Sequence, residues 1–173
     1  MIDSTSDTPE AGPPGDGYLQ IDHLAIAVRD LEQAIVFYRD VLGFTLMRRL
    51  VTRGRSTGMI SAEMEFNGIR FVLCQGTEQA SQVSRLIDEY GPGVAHVAMR
   101  VNDVCSTVND LSARGMAFDT NVIEGPGLRQ AFTTRCDNSG LSFEFIQRDS
   151  GQEGFVDTNV EQLFHQLEAK GAF

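Results

Sequence analysis

With 173 residues, 42% hydrophobic and 22% charged, the chain is long enough to fill one core and too short for two domains of ordinary size. Its 24 acidic and 14 basic residues leave a formal charge of −10, which disfavours nucleic acid and anionic membrane surfaces as partners. Cys74, Cys105 and Cys136 make no CxxC pair and no even framework, so neither a disulfide scaffold nor a thiolate zinc site is indicated and a reducing cytoplasm is the expected compartment.

The opening stretch is rich in Pro, Gly, Ser and Asp and has neither the basic start nor the apolar run of a signal peptide, so residues 1–17 are predicted to be a disordered tail and 18–173 a single domain. No later run approaches the roughly 18 apolar residues of a membrane span. The segments IDHLAIAVRD and VAHVAMRVND then share one pattern, x-x-His-x-Ala-x-x-Val-x-Asp, and a glycine follows each at Gly43 or Gly115. Alternation around His23 and His96 predicts a strand in each copy. Asp30 and Asp103 are placed to cap the helices that follow. The first helix is predicted to bury Leu31, Ala34, Ile35, Tyr38 and Leu42, and the second Val104, Val108 and Leu111 before ending at Gly115.

Further on, GIRFVLCQ (68–75) parallels GLSFEFIQ (140–147), both in strand-forming residues, which aligns Val72 with Glu144. Two modules result, about 18–78 and 91–149, with a C-terminal helix at about 157–170. That helix carries Val160, Leu163, Phe164 and Leu167 on one face, with His165 toward solvent. Each module has a ligand-capable position on its first strand and another on its last: His23 with Val72, and His96 with Glu144. Two histidines and one carboxylate form the donor set of non-haem Fe(II) oxygenases. Glu144 stands between Phe143 and Phe145, so it either faces solvent opposite both rings or is buried at a cost that pairing or a cation must offset.

The repeat, the histidine and helix pattern and the size resemble the glyoxalase-like, or vicinal oxygen chelate, superfamily. That resemblance implies an α+β fold in which paired βαβββ modules curl a sheet around a metal. The segment IDHLAIAVRDLEQAIVFYRDVLGF is as similar to methylmalonyl-CoA epimerases as to dioxygenases. Farther along, YGPGVAHVAM, RQAFTTRCDNSGLSFEFIQR and GFVDTNVEQLFHQLE resemble the catalytic C-terminal half of the 4-hydroxyphenylpyruvate dioxygenases. This likeness implies Fe(II) on His23, His96 and Glu144, a 2-oxo acid and dioxygen as substrates, and a closing helix. By position it further implies Ser61, Gln82, Gln130, Phe132, Asn159 and Phe164 as substrate-binding residues. Taken alone, Phe132 and Phe164 read as core rather than substrate clamps, and the Thr158-Asn159-Val160-Glu161 run as a capping box.

Departures from that family are also present. A glutamine before the second histidine is replaced by Ala95, a pocket asparagine falls near Gly76, and a closing-helix phenylalanine is Val160, while Val156 and Thr158 replace glycines. The expected substrate is therefore another aryl or branched 2-oxo acid, with 4-hydroxyphenylpyruvate a poor one, and a homodimer is expected. Three rivals stay open: an epimerase using Glu63, Glu65 or Gln75 as base or fourth ligand, a ring-cleaving dioxygenase, and a small-molecule-binding resistance protein.

Overall fold

In the computed structural model the described residues are 12–152, 154 and 156–171. The chain runs β1 (Tyr18–Ala27), α1 (Leu31–Val36), β2 (Thr45–Arg53), β3 (Gly58–Phe66), β4 (Ile69–Gly76), α2 (Gln82–Tyr90), β5 (Gly93–Val101), α3 (Val104–Ala113), β6 (Ile123–Gly125), β7 (Leu128–Phe132), β8 (Ser142–Arg148) and α4 (Asp157–Lys170). All eight strands join one mixed sheet in the order β2-β3-β4-β1-β5-β8-β7-β6. This is the α+β arrangement of two βαβββ modules.

The pairing register carries the internal symmetry. Leu24 lies opposite Phe71 and Ala25 opposite Val72 in the parallel β1–β4 pair, while Val97 lies opposite Phe143 and Ala98 opposite Glu144 in β5–β8. Val72 and Glu144 are thus structural equivalents, as the aligned strand sequences predict. At the antiparallel β1–β5 junction, His23 faces Ala98 and His96 faces Ala25, so the histidines straddle the local twofold.

Each module closes its outer face with a helix. Leu31 and Ile35 pack on Ala62, Met64 and Leu73, and Val104 and Leu111 pack on Val101, Ala131 and Phe145. Asp30 accepts from Gln33 N at 2.9 Å and Asp103 from Ser106 N at 3.0 Å, the expected caps. The repeat also supplies a second pair of anchors: Gln75 Oε1 accepts from Leu31 N and Gln147 Oε1 from Val104 N. These side chains bind the two helix N-termini to the last strand of each module.

Four expectations change. The first helix passes into a π-helical turn over Phe37–Val41, which rotates Leu42 outward to 47% exposure instead of burying it. The α2 helix was not foreseen, although Ser81 caps it by accepting from Ser84 N. Helix α4 starts at Asp157 after Val156 with no side-chain cap, so Thr158 and Asn159 lie inside its first turn and form no capping box. Within the expected tail, Gly12 to Gly17 lie against α3: Gly15 N donates to Asp110 at 2.7 Å and Arg114 donates to Gly12 O at 2.7 Å. The rest of that tail, residues 1–11, lies outside the described residues.

Candidate metal centre

The concave face of the sheet is covered by α4, whose Val160 and Phe164 pack on Met59 and Cys74. Three contacts tie this helix to β2, the β2–β3 turn and α2. Arg48 pairs with Asp157, Gln82 Nε2 donates to Phe164 O at 3.5 Å, and the Glu168 carboxylate accepts from the amides of Arg55, Ser56 and Thr57 at 2.8, 3.3 and 3.0 Å.

Under this cover His23, His96 and Glu144 converge, with one donor atom from each lying within 4.8 Å of the others. Glu144 Oε2 is 3.2 Å from Nε2 of each imidazole, and the two Nε2 atoms are 3.4 Å apart. Glu144 is 1% exposed, yet neither of its oxygens has a hydrogen bond of acceptable geometry, because the imidazoles approach closely at poor angles. The solvent-facing alternative for Glu144 is therefore excluded. A buried carboxylate without hydrogen bonds beside two imidazole nitrogens is a donor set that a divalent cation would satisfy.

A buried chain of charges supports it from behind. His23 Nδ1 lies 3.0 Å from Asp22 Oδ1, and Asp22 receives Nε and Nη2 of Arg148 at 2.8 Å each. In the neutral ring, donation from Nδ1 to Asp22 would leave the His23 Nε2 lone pair toward Glu144 and His96, the carboxylate–histidine arrangement common behind bound metals. Burial disfavours the charged form of His23, but Glu144 and Asp22 outweigh it and raise the imidazole to about 9. Burial would likewise raise Glu144, but the His23 charge and both imidazole contacts hold it at about 2. Burial keeps His96 below its ordinary value despite the pull of Glu144. Asp22 is held far below the carboxylate range because Arg148 and His23 overcome the effect of burial.

The cavity at this triad has an empty volume of about 460 Å³ and takes in Ser61, Glu63, Val72, Gln130, Phe132, Val160 and Leu163. Repeat symmetry organises its rim. Ser61 and Glu63 on β3 lie opposite Cys74 and Val72, as Gln130 and Phe132 on β7 lie opposite Ile146 and Glu144. Ser61 is thus the counterpart of Gln130, and Glu63 of Phe132. Phe132 sets its edge against His96 with centroids 5.2 Å apart, and Gln130 is 1% exposed with Oε1 unpartnered. Burial pushes the Cys74 thiol up to about 12, which leaves it a neutral apolar wall.

Of the remaining residues predicted from sequence, Gln82 and Phe164 line an adjoining chamber. Asn159 is fully buried, donates to Leu128 O at 3.1 Å, and packs against Gly125 so closely that no Cβ fits there. It joins α4 to β6 and β7 and lines neither chamber. Gly76 also lies away from the triad, against Ser81 and Ser84, so an exchange there removes nothing from the cavity. Ala95 does line the adjoining chamber and Val160 the cavity at the triad. Sequence reasoning missed Asp22 and Arg148 as the support of His23. The one available signal was an acidic residue directly before the histidine.

Fold and site together define a curled-sheet protein of the vicinal oxygen chelate type with a two-histidine, one-glutamate centre. The chain belongs to the Glyoxalase/Bleomycin resistance protein/Dioxygenase superfamily, whose signature matches residues 20–145. It is 28% identical over 192 residues to a 4-hydroxyphenylpyruvate dioxygenase of Legionella pneumophila, covering 89% of this chain and 55% of that protein. The chain thus spans about half the length of such curated relatives. A 4-hydroxymandelate synthase variant from Streptomyces coelicolor superposes with a TM-score of 0.79 at 25% identity, over 95% of this chain and 56% of that one. A methylmalonyl-CoA epimerase from the same organism gives 0.67 at 25%, over 78% and 100%.

Proposed function

We propose that this protein is a non-haem Fe(II)-dependent dioxygenase acting on a small 2-oxo acid other than 4-hydroxyphenylpyruvate. The observation that carries the reading is the triad itself: two histidines and one carboxylate meet in a cavity whose fourth symmetric position is the non-coordinating Val72. His23, His96 and Glu144 would hold the iron, which would supply a docking point for the 2-oxo carboxylate and electrons for dioxygen.

The chain's own residues would do the rest. Asp22 and Arg148 fix the His23 ring, so the site is organised before substrate arrives. Ser61 through its hydroxyl and Gln130 through its Nε2 amide would donate to substrate oxygens from the cavity wall. Phe132 walls the ring or alkyl part of the substrate. Helix α4, with Val160 and Leu163 toward the cavity, would exclude water from the reacting atoms.

An epimerase-type reading has one observation in its favour: Glu63 lines the cavity beside Val72, and burial raises its carboxyl, so an acid–base group is at hand. Against it, Gln75 and Glu65, the other candidates for a fourth ligand, are engaged elsewhere. Gln75 caps α1 and Glu65 accepts from Gly68 N at 2.7 Å. Replacing His23, His96 or Glu144 by alanine should abolish iron binding and oxygen uptake while the fold persists. A variant that keeps full oxygen-dependent turnover would remove that residue from the site.

A further inference from the structure

Beyond Phe132 and His96 the metal cavity adjoins a second chamber, with an empty volume of about 700 Å³, and the two share Ala25, Met59, Cys74, His96, Phe132 and Leu163 as walls. The middle of this chamber is apolar, built from Val83 and Leu86 of α2, Leu167 of α4 and the small Ala95. Its polar groups are nearly all committed. The Gln82 amide bonds Thr57 and Phe164, Asp119 accepts from Thr134 Oγ1 at 2.8 Å with Lys170 at 3.6 Å, and Thr133 Oγ1 accepts from Phe143 N.

Arg135 is the exception. Its Nη1 and Nη2 donate to Gly140 O and Ala95 O at 2.6 and 2.9 Å, and its guanidinium stacks over Tyr90. Nε is buried with no partner. Each Nη nevertheless keeps a second N–H beyond the carbonyl it serves, and a guanidinium that lines an apolar chamber with N–H groups to spare suits an anionic acceptor. The hydrogen bond to Ala95 places this guanidinium next to the backbone that carries His96.

We propose that this chamber is a substrate subsite in which Arg135 receives a carboxylate separated by an apolar stretch from the metal-binding end. The ligand class is a 2-oxo diacid, and the assignment rests on the reading of the triad as a 2-oxo acid site. Ala95 lines the chamber and packs beside Leu86, so a larger side chain there would reduce its volume.

The test is an anaerobic titration of the Fe(II)-loaded protein with pyruvate, with 2-oxo diacids from 2-oxoadipate to 2-oxosebacate, and with methyl-ended 2-oxo acids of matching length. Binding is read from the visible charge-transfer band and by calorimetry. The expected result is that one diacid binds at least about tenfold tighter than its methyl-ended counterpart. Arg135→Gln should erase that preference and leave pyruvate affinity unchanged. Ala95→Leu, which leaves Arg135 in place, should weaken both long acids and spare pyruvate. A response to pyruvate with no diacid preference overturns the subsite alone. Equal weakening of pyruvate and diacid in Arg135→Gln also overturns it, because Arg135 would then act only through the Ala95 and Gly140 carbonyls. No response to any 2-oxo acid overturns the underlying reading and the subsite with it.

Discussion

Replacing Asp22 probes the link between the buried charges and the proposed metal site. Asp22 and Arg148 have side chains 2% and 1% exposed, joined by two contacts of 2.8 Å, and the same carboxylate lies 3.0 Å from His23 Nδ1. Asp22→Ala deprives an interior guanidinium of its carboxylate, a loss of roughly 3–5 kcal/mol in folding stability. It also frees the His23 ring to turn or change tautomer, which should weaken metal binding about 10–100-fold. Asp22→Asn keeps an acceptor for His23 but not the charge, so both losses should be smaller. Urea unfolding of the metal-free protein measures the first effect, and competition with a chromophoric chelator on folded protein the second. Metal affinity within about twofold of the parent in both variants would refute the positioning role. A stability loss under about 1 kcal/mol would refute the buried pair as a structural element.

Glu168 fastens α4 to the β2–β3 turn, and hydrogen bonds from Thr57 and the turn amides hold its carboxyl low, against the effect of its partial burial. Since its folded value is depressed, the clamp is complete above the ordinary glutamate range and is lost as pH falls through the folded value. Protection of the α4 amides, corrected for the intrinsic exchange rate at each pH, should therefore fall at acid pH in the parent, whereas in Glu168→Gln it should already be lower at neutral pH and less pH-sensitive; identical profiles would contradict this. Gly125→Ala drives a Cβ into Asn159 and should cost about 1–3 kcal/mol, read by thermal melting, together with looser α4 docking. Leu19 and Ile21 at the start of β1 are more than half exposed, so a homodimer is expected by light scattering at micromolar concentration, and a monomer mass would count against it.

The cluster of His23, His96 and Glu144 was legible because the chain states its frame twice. The spacing from His23 to Asp30 recurs from His96 to Asp103, and the parallel registers then confirm that Val72 and Glu144 are equivalents. Strand alternation could not say which face of β8 looks inward, and that depended on α4 closing the concave side. The π-helical turn at Phe37–Val41 was hidden because its side chains keep helical spacing while the backbone adds a residue to the turn. Asn159 stood at a position that the family likeness assigns to substrate, yet its role depends on Gly125, distant in sequence and brought near only when β6 meets α4. The second chamber was beyond sequence reasoning for the same reason, since α2, α4 and β5 all contribute to its walls.

The central claim, that His23, His96 and Glu144 hold iron for oxygen chemistry on a 2-oxo acid, is tested most directly by one anaerobic experiment. Purified protein is titrated with Fe(II), then with a panel of 2-oxo acids, and finally exposed to oxygen while uptake and carbon dioxide release are followed. The expected result is one iron per chain, a visible charge-transfer band on adding the acid, and carbon dioxide released in step with oxygen consumed. Failure to bind iron, or turnover of an acyl-CoA epimer that consumes no oxygen, would contradict it.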